Sequence, residues 1–453
     1  MPVPAHPLAV RQTIYCLCFV GGVAWLSGVA AAGDLHVTPD GAGRRDGAGW
    51  ADALPAERLD AAVNDLAGPG DRVLLGSGRY ENQFLKIRTG GTEGRPKEIR
   101  GVDTGEGLPT WVGTWSATDP KKGPTAVSLG PGVSDLTLAG LRLRNYQFGV
   151  RAPTDGEEPL ERLTLDDVDA AQMRHHLYLS NCRELTVADC DVVRYSKHAF
   201  RFERGCRGVR VMRCTADCSE GDEAWEQNTA EPLPFGFVVN NSNPPQSDFQ
   251  FEDCSAANNR MAVTPGKYAN GDGFVVEGSV EGVSFVRCTA VRNRDGGFDL
   301  KPPVSLRDCV ALDNGRGIRL WSEATVDNCF LGDGKTGLWS NGGAATVRSS
   351  TFHRLAGPAA MTDDRATGGV TLIDCLIADC GAVWKKTSKG PVTLTEIVVS
   401  ETRPTPDARS KAPADPSIQF AAPPAALPGE GPRPTHPTKG YRPPEQSEGR
   451  PVR

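Results

Sequence analysis

Residues 283–309 read VSFVRCTAVRNRDGGFDLKPPVSLRDC and carry the pattern that decides the fold. The stretch begins with Val283-Ser-Phe-Val-Arg-Cys288, in which apolar and polar residues alternate, and ends with the matching Val304-Ser-Leu-Arg-Asp-Cys309. Such alternation is typical of a β-strand with one buried face. A second short alternating segment, Gly297-Phe-Asp-Leu300, lies between the two copies. The stretch therefore indicates a repeated unit of two or three strands.

The same six-residue segment recurs along most of the chain. Its eleven copies begin at residues 136, 163, 185, 209, 249, 283, 304, 324, 345, 370 and 392. One unit of this size cannot bury the inner faces of its strands, whereas stacked units can. We therefore predict an all-β fold, a single-stranded right-handed parallel β-helix. The right-handed sense follows the usual preference of parallel crossovers.

A leucine-rich horseshoe is the structural alternative, because its repeats have a similar length. The asparagine of such a horseshoe lies in a recurring leucine frame, which this chain lacks. Here Asn259, Asn293 and Asn314 each follow a repeat cysteine by five residues. The spacing predicts a ladder of asparagines in one turn of a β-helix.

The N-terminal residues 1–32 are predicted to be a signal peptide. An apolar run follows Arg11 and ends in Ala30-Ala-Ala32, a small-residue pattern that favours cleavage before Gly33. An uncleaved membrane anchor is the alternative, since the run is just long enough to span a bilayer. With cleavage, the protein is predicted to be secreted or otherwise extracytoplasmic, in the periplasm or at the cell surface.

Three further regions follow the predicted signal. Residues 33–132 are expected to form an N-terminal cap with a helix at 56–66 and the first coils, because the end of a solenoid core needs a cover. Residues 133–400 form the β-helix repeats. Residues 401–453 are rich in proline and are predicted to be a disordered tail.

The charge of the chain limits its partners. The 453 residues carry a net charge of -6, which argues against a nucleic-acid-binding protein. No apolar stretch after the signal is long enough to cross a membrane, and we expect a monomer. An acidic ligand would need a local basic patch or a bound cation to overcome repulsion.

Eleven cysteines remain after removal of the signal peptide. Six of them occupy the sixth position of consecutive repeats and should point inward, where they are expected to form a column of buried thiols (Cys190, Cys214, Cys254, Cys288, Cys309 and Cys329). Cys182 and Cys206 occupy equivalent positions in adjacent coils. They are the best candidates for a disulfide bond.

Aligning the second strands on Phe274, Phe298, Ile318 and Leu338 places a group of polar residues on one outer face. The group contains three aspartates, a glutamate, two basic residues and two tryptophans (Asp272, Asp295, Asp299, Glu277, Lys301, Arg319, Trp321 and Trp339). Clustered carboxylates suit Ca²⁺, which takes six to eight oxygen ligands. The alternative is a ladder of surface ion pairs, since opposite charges fall on neighbouring rungs.

The segments Asn270-Gly-Asp-Gly-Phe274, Asn293-Arg-Asp-Gly-Gly-Phe-Asp-Leu300 and Asn314-Gly-Arg-Gly-Ile-Arg-Leu320 resemble the active-site region of polysaccharide lyase family 9 pectate lyases. The resemblance implies a pectate-lyase-like β-helix in which Asp272, Asp295 and Asp299 are calcium ligands. It places Arg319 at the position of a catalytic lysine base and Gly296 at the position of a further acid, so the site is degenerate.

The activity implied by this resemblance is calcium-dependent β-elimination on a pectate-like polyuronate. Arg319 is the base by position, and Lys301 and Lys335 are chemically easier bases. Trp321, Trp339 and Glu277 are the predicted substrate-binding residues, with an acidic polysaccharide as the partner. The alternative function is that of a non-catalytic glycan-binding or cell-surface structural protein.

Two further features bear on this face of the predicted fold. The insertions at residues 217–234 and 260–270 are expected to wall a groove, as loops on rigid scaffolds often do. His175 and His198 align in adjacent coils. We interpret them as a pair of turn histidines rather than a metal site, because metal sites need at least three converging ligands.

Overall fold

The computed structural model describes residues 33–152, 158–229, 233–240, 242–261, 266, 268, 270–386, 391–400, 419–421 and 433–435. The predicted signal peptide lies outside the described residues, as does most of the predicted tail. Within the described residues, no helix is long and apolar enough to cross a membrane.

The structure is a parallel β-helix with three strands in each regular coil. Each strand pairs in parallel with its equivalent one coil earlier and one coil later. The strands therefore form three faces, here called A, B and C, in the order in which one coil visits them. The predicted parallel β-helix is confirmed.

Face A is built by the repeat segments. Its strands are Asp34–Thr38, Arg72–Leu75, Lys97–Gly101, the first part of Ser134–Arg144, the first part of Leu160–Ser180, Cys182–Ala188, Arg207–Met212, Gln246–Glu252, Val280–Val286, Val304–Arg307, Ala324–Asp327, Ala345–Arg348, Val370–Ile373 and Val392–Thr395. Val283, Phe285 and Cys288 are buried and Ser284 is half-buried, as strand alternation requires.

Face B follows the repeat cysteines. Its strands are Arg79–Glu81, Thr110–Val112, the end of Ser134–Arg144, the middle of Leu160–Ser180, the start of Asp191–Glu203, Thr215–Asp217, Ser255–Ala257, Thr289–Val291, Val310–Leu312, Phe330–Gly332, Thr351–His353, Leu376–Ala378 and Val398–Ser400. The residue before each repeat cysteine turns the chain with positive φ, for example Asp253, Arg287 and Asp308.

Face C completes each coil. Its strands are Leu85–Ile87, Thr125–Leu129, Phe148–Arg151, the ends of Leu160–Ser180 and Asp191–Glu203, Phe235–Asn240, Asp272–Val276, Gly296–Leu300, Arg316–Leu320, Thr336–Ser340, Pro358–Thr362 and Ala382–Lys386. The register pairs Phe274 with Phe298, Phe298 with Ile318 and Ile318 with Leu338, as the alignment predicts. The rings of Phe274 and Phe298 stack with centroids 4.8 Å apart in the core.

The helical segment at residues 56–66 is present where it is predicted. It consists of a 3-10 turn Ala56–Arg58, an α-helical turn Leu59–Ala61 and a wider turn Ala62–Leu66. Leu59 and Val63 are buried in the same core as the first coils. The buried Lys97 ammonium donates a hydrogen bond of 2.8 Å to the Val63 carbonyl oxygen and so fixes the segment to face A.

A few elements lie outside the three faces. They are the 3-10 turn Trp50–Asp52, the short strand Leu54–Pro55, the helix Glu223–Asn228 and an antiparallel pair of strands, Gln419–Ala421 and Arg433–Thr435. The helix Glu223–Asn228 begins after Asp222, whose carboxylate accepts hydrogen bonds from the backbone N–H groups of Ala224 and Trp225.

The predicted asparagine ladder is present and buried. Asn259 Nδ2 donates to Asn293 Oδ1 at 2.8 Å, and Asn293 Nδ2 donates to Asn314 Oδ1 at 3.0 Å. Asn314 Nδ2 in turn donates to the Ala290 carbonyl oxygen at 2.9 Å. The hydroxyl of Tyr195 ends the ladder by donating to Asn259 Oδ1 at 2.6 Å.

The eleven described cysteines are all buried free thiols. The predicted column of buried thiols is confirmed. The proposed disulfide between Cys182 and Cys206 is wrong, because both side chains remain thiols. A disulfide has strict distance and dihedral requirements, which side chains that project in the same direction from adjacent parallel strands do not readily meet.

Candidate functional site

The predicted site residues lie on the outer surface of face C, on or beside four consecutive strands. The register places Asp299 beside Arg319 and Arg319 beside Trp339. Adjacent strands of a sheet are about 4.8 Å apart, so long side chains reach across more than one coil. The strand order thus brings residues far apart in sequence into one patch.

Asp295 is a buried carboxylate with three donors. Arg319 Nη1 lies 2.7 Å from its Oδ2 atom, and Arg316 Nη1 binds its Oδ1 atom. The hydroxyl of Tyr268 donates to Asp295 Oδ2 at 2.7 Å. Both carboxylate oxygens are therefore engaged by side chains of the protein.

Asp299 is likewise buried and fully engaged. Trp321 Nε1 donates to Asp299 Oδ1 at 2.7 Å. Arg319 Nη1 and Lys301 Nζ each lie 3.2 Å from Asp299 Oδ2. Lys301 also approaches Glu277 at 3.5 Å, which places Glu277 at the edge of the patch.

Arg319 is the centre of this network. A single nitrogen, Nη1, bridges Asp295 and Asp299, and the guanidinium carbon lies 5.6 Å and 5.3 Å from the ring centroids of Trp321 and Trp339. The two indoles meet edge to face, with centroids 4.9 Å apart. Trp339 is only 5% exposed, so its ring supports the arginine from beneath.

Asp272 lies one coil earlier and is 1% exposed. The backbone N–H of Gly296 donates to its Oδ1 atom at 2.5 Å. Burial raises the pKa of the Asp272 carboxyl well above its usual value, and the negative charges of Asp299 and Asp295 raise it further. The Asp272 carboxyl thus favours its protonated form more than an exposed aspartate does.

This donor set does not fit a calcium ion. The oxygens of Asp295 and Asp299 already accept hydrogen bonds from arginine, lysine, tyrosine and tryptophan, and no group of three metal-ligating side chains is arranged to hold a metal ion within the described residues. A side chain at Gly296 would collide with Asp272, since a Cβ atom there would lie 2.7 Å from Asp272 Oδ1. A further acid at this position would therefore require the Asp272 side chain to move.

A basic cavity of about 310 Å³ adjoins the ion pairs. Its lining residues are Tyr268, Arg294, Asp295, Gly315, Arg316, Lys335 and Thr336. Lys335 is exposed and lies on this cavity, whereas Lys301 and Arg319 lie in the carboxylate network. Burial and the nearby Arg260 lower the pKa of the Arg294 guanidinium, which leaves it charged because the usual value is 12.5.

Two of the residues that line the cavity, Asp295 and Lys335, belong to the predicted site, whereas the aromatic and basic side chains of Tyr268, Arg294 and Arg316 do not. Tyr268 belongs to the insertion that was expected to wall the groove, and its ring is 62% exposed although its hydroxyl is held by Asp295. Arg316 shares a column with Asp272 and Gly296, and this shared column could have identified it. Most of the rest of that insertion lies outside the described residues.

His175 and His198 lie on face C several coils earlier. They are within strands Leu160–Ser180 and Asp191–Glu203, so the interpretation of turn histidines is wrong. The strands are longer there than predicted, because both continue around a corner from face B to face C.

No protein-family model matches the chain, and no curated protein matches it either. A solved structure of pectate lyase Pel9A is 14% identical and aligns over 87% of this chain and 84% of that chain, with a TM-score of 0.37. The A-module of the mannuronan C-5 epimerase AlgE6 from Azotobacter vinelandii is 14% identical over 78% of this chain and 95% of that chain, with a TM-score of 0.46. The structure of XylC in complex with xylose is 8% identical over 86% of this chain and 87% of that chain, with a TM-score of 0.47.

These likenesses are too distant to carry a conclusion about activity, and the fold rests on the strand registers themselves. Fold similarity also says little about function, because this architecture hosts several activities. By its registers, the chain is a parallel β-helix, the fold that the repeat pattern of the sequence predicts.

Proposed function

We propose that the protein binds an acidic polysaccharide along the outer surface of face C. The observation that carries this proposal is the basic cavity lined by Arg294, Arg316 and Lys335, in a chain whose net charge is -6. An acidic chain repels a polyanion unless a local patch reverses the sign of the field. The cavity is such a patch.

The side chains of the cavity suit an acidic sugar in two respects. Guanidinium groups bind carboxylates through paired hydrogen bonds, which fixes the orientation of the ligand. The exposed ring of Tyr268 offers an apolar surface beside these charges, and its hydroxyl is anchored by Asp295 and Arg316 at 2.7 Å and 3.1 Å. An anchored ring binds with a low cost in conformational entropy.

The proposal is tested by measuring binding of purified protein to polygalacturonate, alginate and a neutral glucan. We expect saturable binding to at least one polyuronate, weakening as salt is raised, and no binding to the neutral polymer. Arg316→Ala should reduce the affinity, whereas Arg354→Ala, which removes a more exposed ion pair with Asp333 in the turns that follow face B, should not. Equal binding of the neutral polymer, or an unchanged Arg316→Ala variant, would contradict the proposal.

β-Elimination of the bound polyuronate is a second candidate function. It is favoured by one observation, the exposed Lys335 on the cavity that would hold the uronate. Of the three predicted bases, Arg319 is a guanidinium, which is not deprotonated in proteins, and Lys301 is paired with Asp299 and Glu277. We expect ultraviolet absorbance from an unsaturated product, lost in Lys335→Ala. If the polymer binds but no unsaturated product forms, the protein binds the polysaccharide without cleaving it.

This function also requires export, since such polymers lie outside the cytoplasm. We infer that residues 1–32 are removed as a signal peptide. N-terminal sequencing of the protein recovered from the periplasm or medium should begin at Gly33. A full-length protein retained with the membrane would support the anchor instead.

A further inference from the structure

We propose that Arg319 is the permanent cation of this site, occupying the place at which calcium was expected, so that the protein binds its acidic polysaccharide without a divalent metal. The inference rests on the proposed function for its ligand. Its structural basis is independent of any ligand, because it concerns only how the carboxylates of the patch are neutralised.

The first argument is position. A cation shared by Asp295 and Asp299 must lie between them, and Arg319 Nη1 lies there, at 2.7 Å and 3.2 Å from their oxygens. These are the distances of charge-assisted hydrogen bonds. An ion could reach both carboxylates together only by displacing the guanidinium.

The second argument is that the guanidinium is held in place. Its carbon lies over the rings of both Trp321 and Trp339, and its side chain is 12% exposed. Arginine stacks on aromatic rings and is more weakly hydrated than an ammonium group, so it tolerates this burial. Displacement would lose two ion pairs and two ring contacts at once.

The third argument is charge balance. The carboxylates of the patch that contact a basic side chain are those of Asp295, Asp299 and Glu277, and they carry three negative charges. Arg316, Arg319 and Lys301 supply three positive charges in direct contact with Asp295 and Asp299. A divalent ion would add two positive charges to a neutral cluster, and the attraction that normally drives calcium binding would be absent.

The inference predicts a gain of function. Arg319→Gln removes the cation that Asp295 and Asp299 share, so that Asp295 keeps only Arg316 and Asp299 keeps only Lys301 as a charged partner. Two buried carboxylates that lose a partner are strongly destabilised, and binding of a divalent cation restores the balance. Arg319→Gln should therefore bind calcium roughly tenfold or more tightly than the wild-type protein does.

The test compares wild-type protein, Arg319→Gln and the control Arg354→Gln by two measurements. Thermal unfolding is followed in EDTA, in magnesium and in calcium, and terbium luminescence excited through tryptophan is followed by titration. We expect calcium, but not magnesium, to raise the midpoint of thermal unfolding of Arg319→Gln. Terbium should give saturable luminescence with that variant. Wild-type and Arg354→Gln should show neither effect.

Saturable terbium luminescence in the wild-type protein that is lost in Asp299→Asn would overturn the inference. So would a folded Arg319→Gln variant that calcium does not stabilise. If Arg319→Gln does not fold, Arg319→Lys provides the second variant, because a lysine keeps the charge. Arg319→Lys should fold, and calcium should not change the midpoint of its thermal unfolding. A rise of that midpoint in calcium would count against a role for the charge.

A separate measurement distinguishes this inference from the proposed function. Polyuronate binding by the wild-type protein should have the same affinity in EDTA and in calcium. An affinity that requires calcium overturns the inference and leaves the binding function standing. Absence of polyuronate binding under both conditions overturns the binding function, while the metal measurements still decide the role of Arg319.

Discussion

The Nδ1 atoms of His175 and His198 lie 3.1 Å apart on adjacent coils, so the two imidazoles share one hydrogen bond. Both rings are buried, and they are flanked by the rings of Phe148 and Phe235. Burial lowers the pKa of both histidines well below the usual value, and nearby positive charges lower it further. One neutral ring therefore donates to the other.

This pair predicts one imidazole N–H proton that exchanges slowly with water. A proton spectrum of protein with ¹⁵N-labelled histidine should show it down to mildly acidic pH, because neither ring is readily protonated. His198→Phe keeps the ring stack and removes the hydrogen bond, so the signal should vanish. A signal that persists in this variant would assign the proton to another histidine.

His176 predicts a stabilising substitution. It is fully buried, and neither ring nitrogen makes a well-aligned hydrogen bond, although the backbone of Val168 interacts with the ring. His176→Leu keeps an apolar volume and removes two poorly satisfied polar atoms, so we expect the free energy of unfolding at neutral pH to rise by about 1 kcal/mol. Urea unfolding measures the change. A loss of stability would mean that the imidazole makes a favourable interaction in the core.

His176→Leu should also change how the free energy of unfolding depends on pH. Burial lowers the pKa of His176 to about 3. Below about pH 6.5 the unfolded chain protonates this histidine and the folded state does not, so stability falls as the pH drops towards the folded value. His176→Leu should remove about 1.4 kcal/mol per pH unit of this loss. Parallel stability profiles for the two proteins would contradict the prediction.

The asparagine ladder predicts a large loss of stability. Asn293 is 2% exposed and donates to Asn314 and to the Ala256 carbonyl oxygen at 3.2 Å, besides accepting from Asn259. Asn293→Ala leaves buried partners unsatisfied and should cost about 2–4 kcal/mol. Asn228→Ala, at the exposed end of the helix Glu223–Asn228 where the side chain donates to the Ala224 carbonyl oxygen, should cost less than about 1 kcal/mol. Similar losses in chemical denaturation would argue against a special role for the ladder.

The thiol column predicts inert cysteines. All eleven described cysteines are buried, and burial raises the pKa of thiols such as Cys375, to about 11. Because the thiolate is the reactive form, a thiol reagent such as DTNB should label the native protein very slowly. It should then label eleven sulfurs in the signal-free chain after denaturation in the absence of oxidant. Fewer labelled sulfurs would indicate disulfide bonds.

The contacts of Tyr268 predict separate roles for its ring and its hydroxyl group. Its ring is exposed and should contact the sugar, whereas its hydroxyl serves to position it against Asp295 and Arg316. Tyr268→Ala should weaken polyuronate binding roughly tenfold, and Tyr268→Phe should retain most of it. Thermal unfolding of both variants serves as the control for folding. Equal losses of affinity in the two variants would mean that binding depends on the hydroxyl rather than on the ring.

The register of the coils could be predicted from the sequence because strand alternation leaves little choice. A shift of one residue would turn Phe274, Phe298 and the repeat cysteines toward water. The same constraint placed Asp299 beside Arg319. Backbone pattern is therefore sufficient to identify which residues share a rung.

The contacts between long side chains could not be predicted in this way. Register places Arg319 near both Asp299 and Asp295, but it does not say whether those carboxylates face an ion or a guanidinium. Arg316 and Tyr268 settle that question for Asp295, and Tyr268 comes from an insertion that has no repeat pattern. Side-chain conformation, rather than strand position, decides the chemistry of this patch.

The spacing along face C has a consequence for how such a chain can change in length. Phe298, Ile318 and Leu338 pair with one another at intervals of twenty residues, so each of these coils is a complete module. Deleting or duplicating one whole module joins equivalent positions and changes the length of the solenoid by one rung. Inserting a single residue in a strand moves the side chains that follow it from the core to the outer face, and those of the outer face to the core. A change of one whole coil of twenty residues thus preserves both the alternation and the pairing of these strands, whereas a change of one residue within a strand does not.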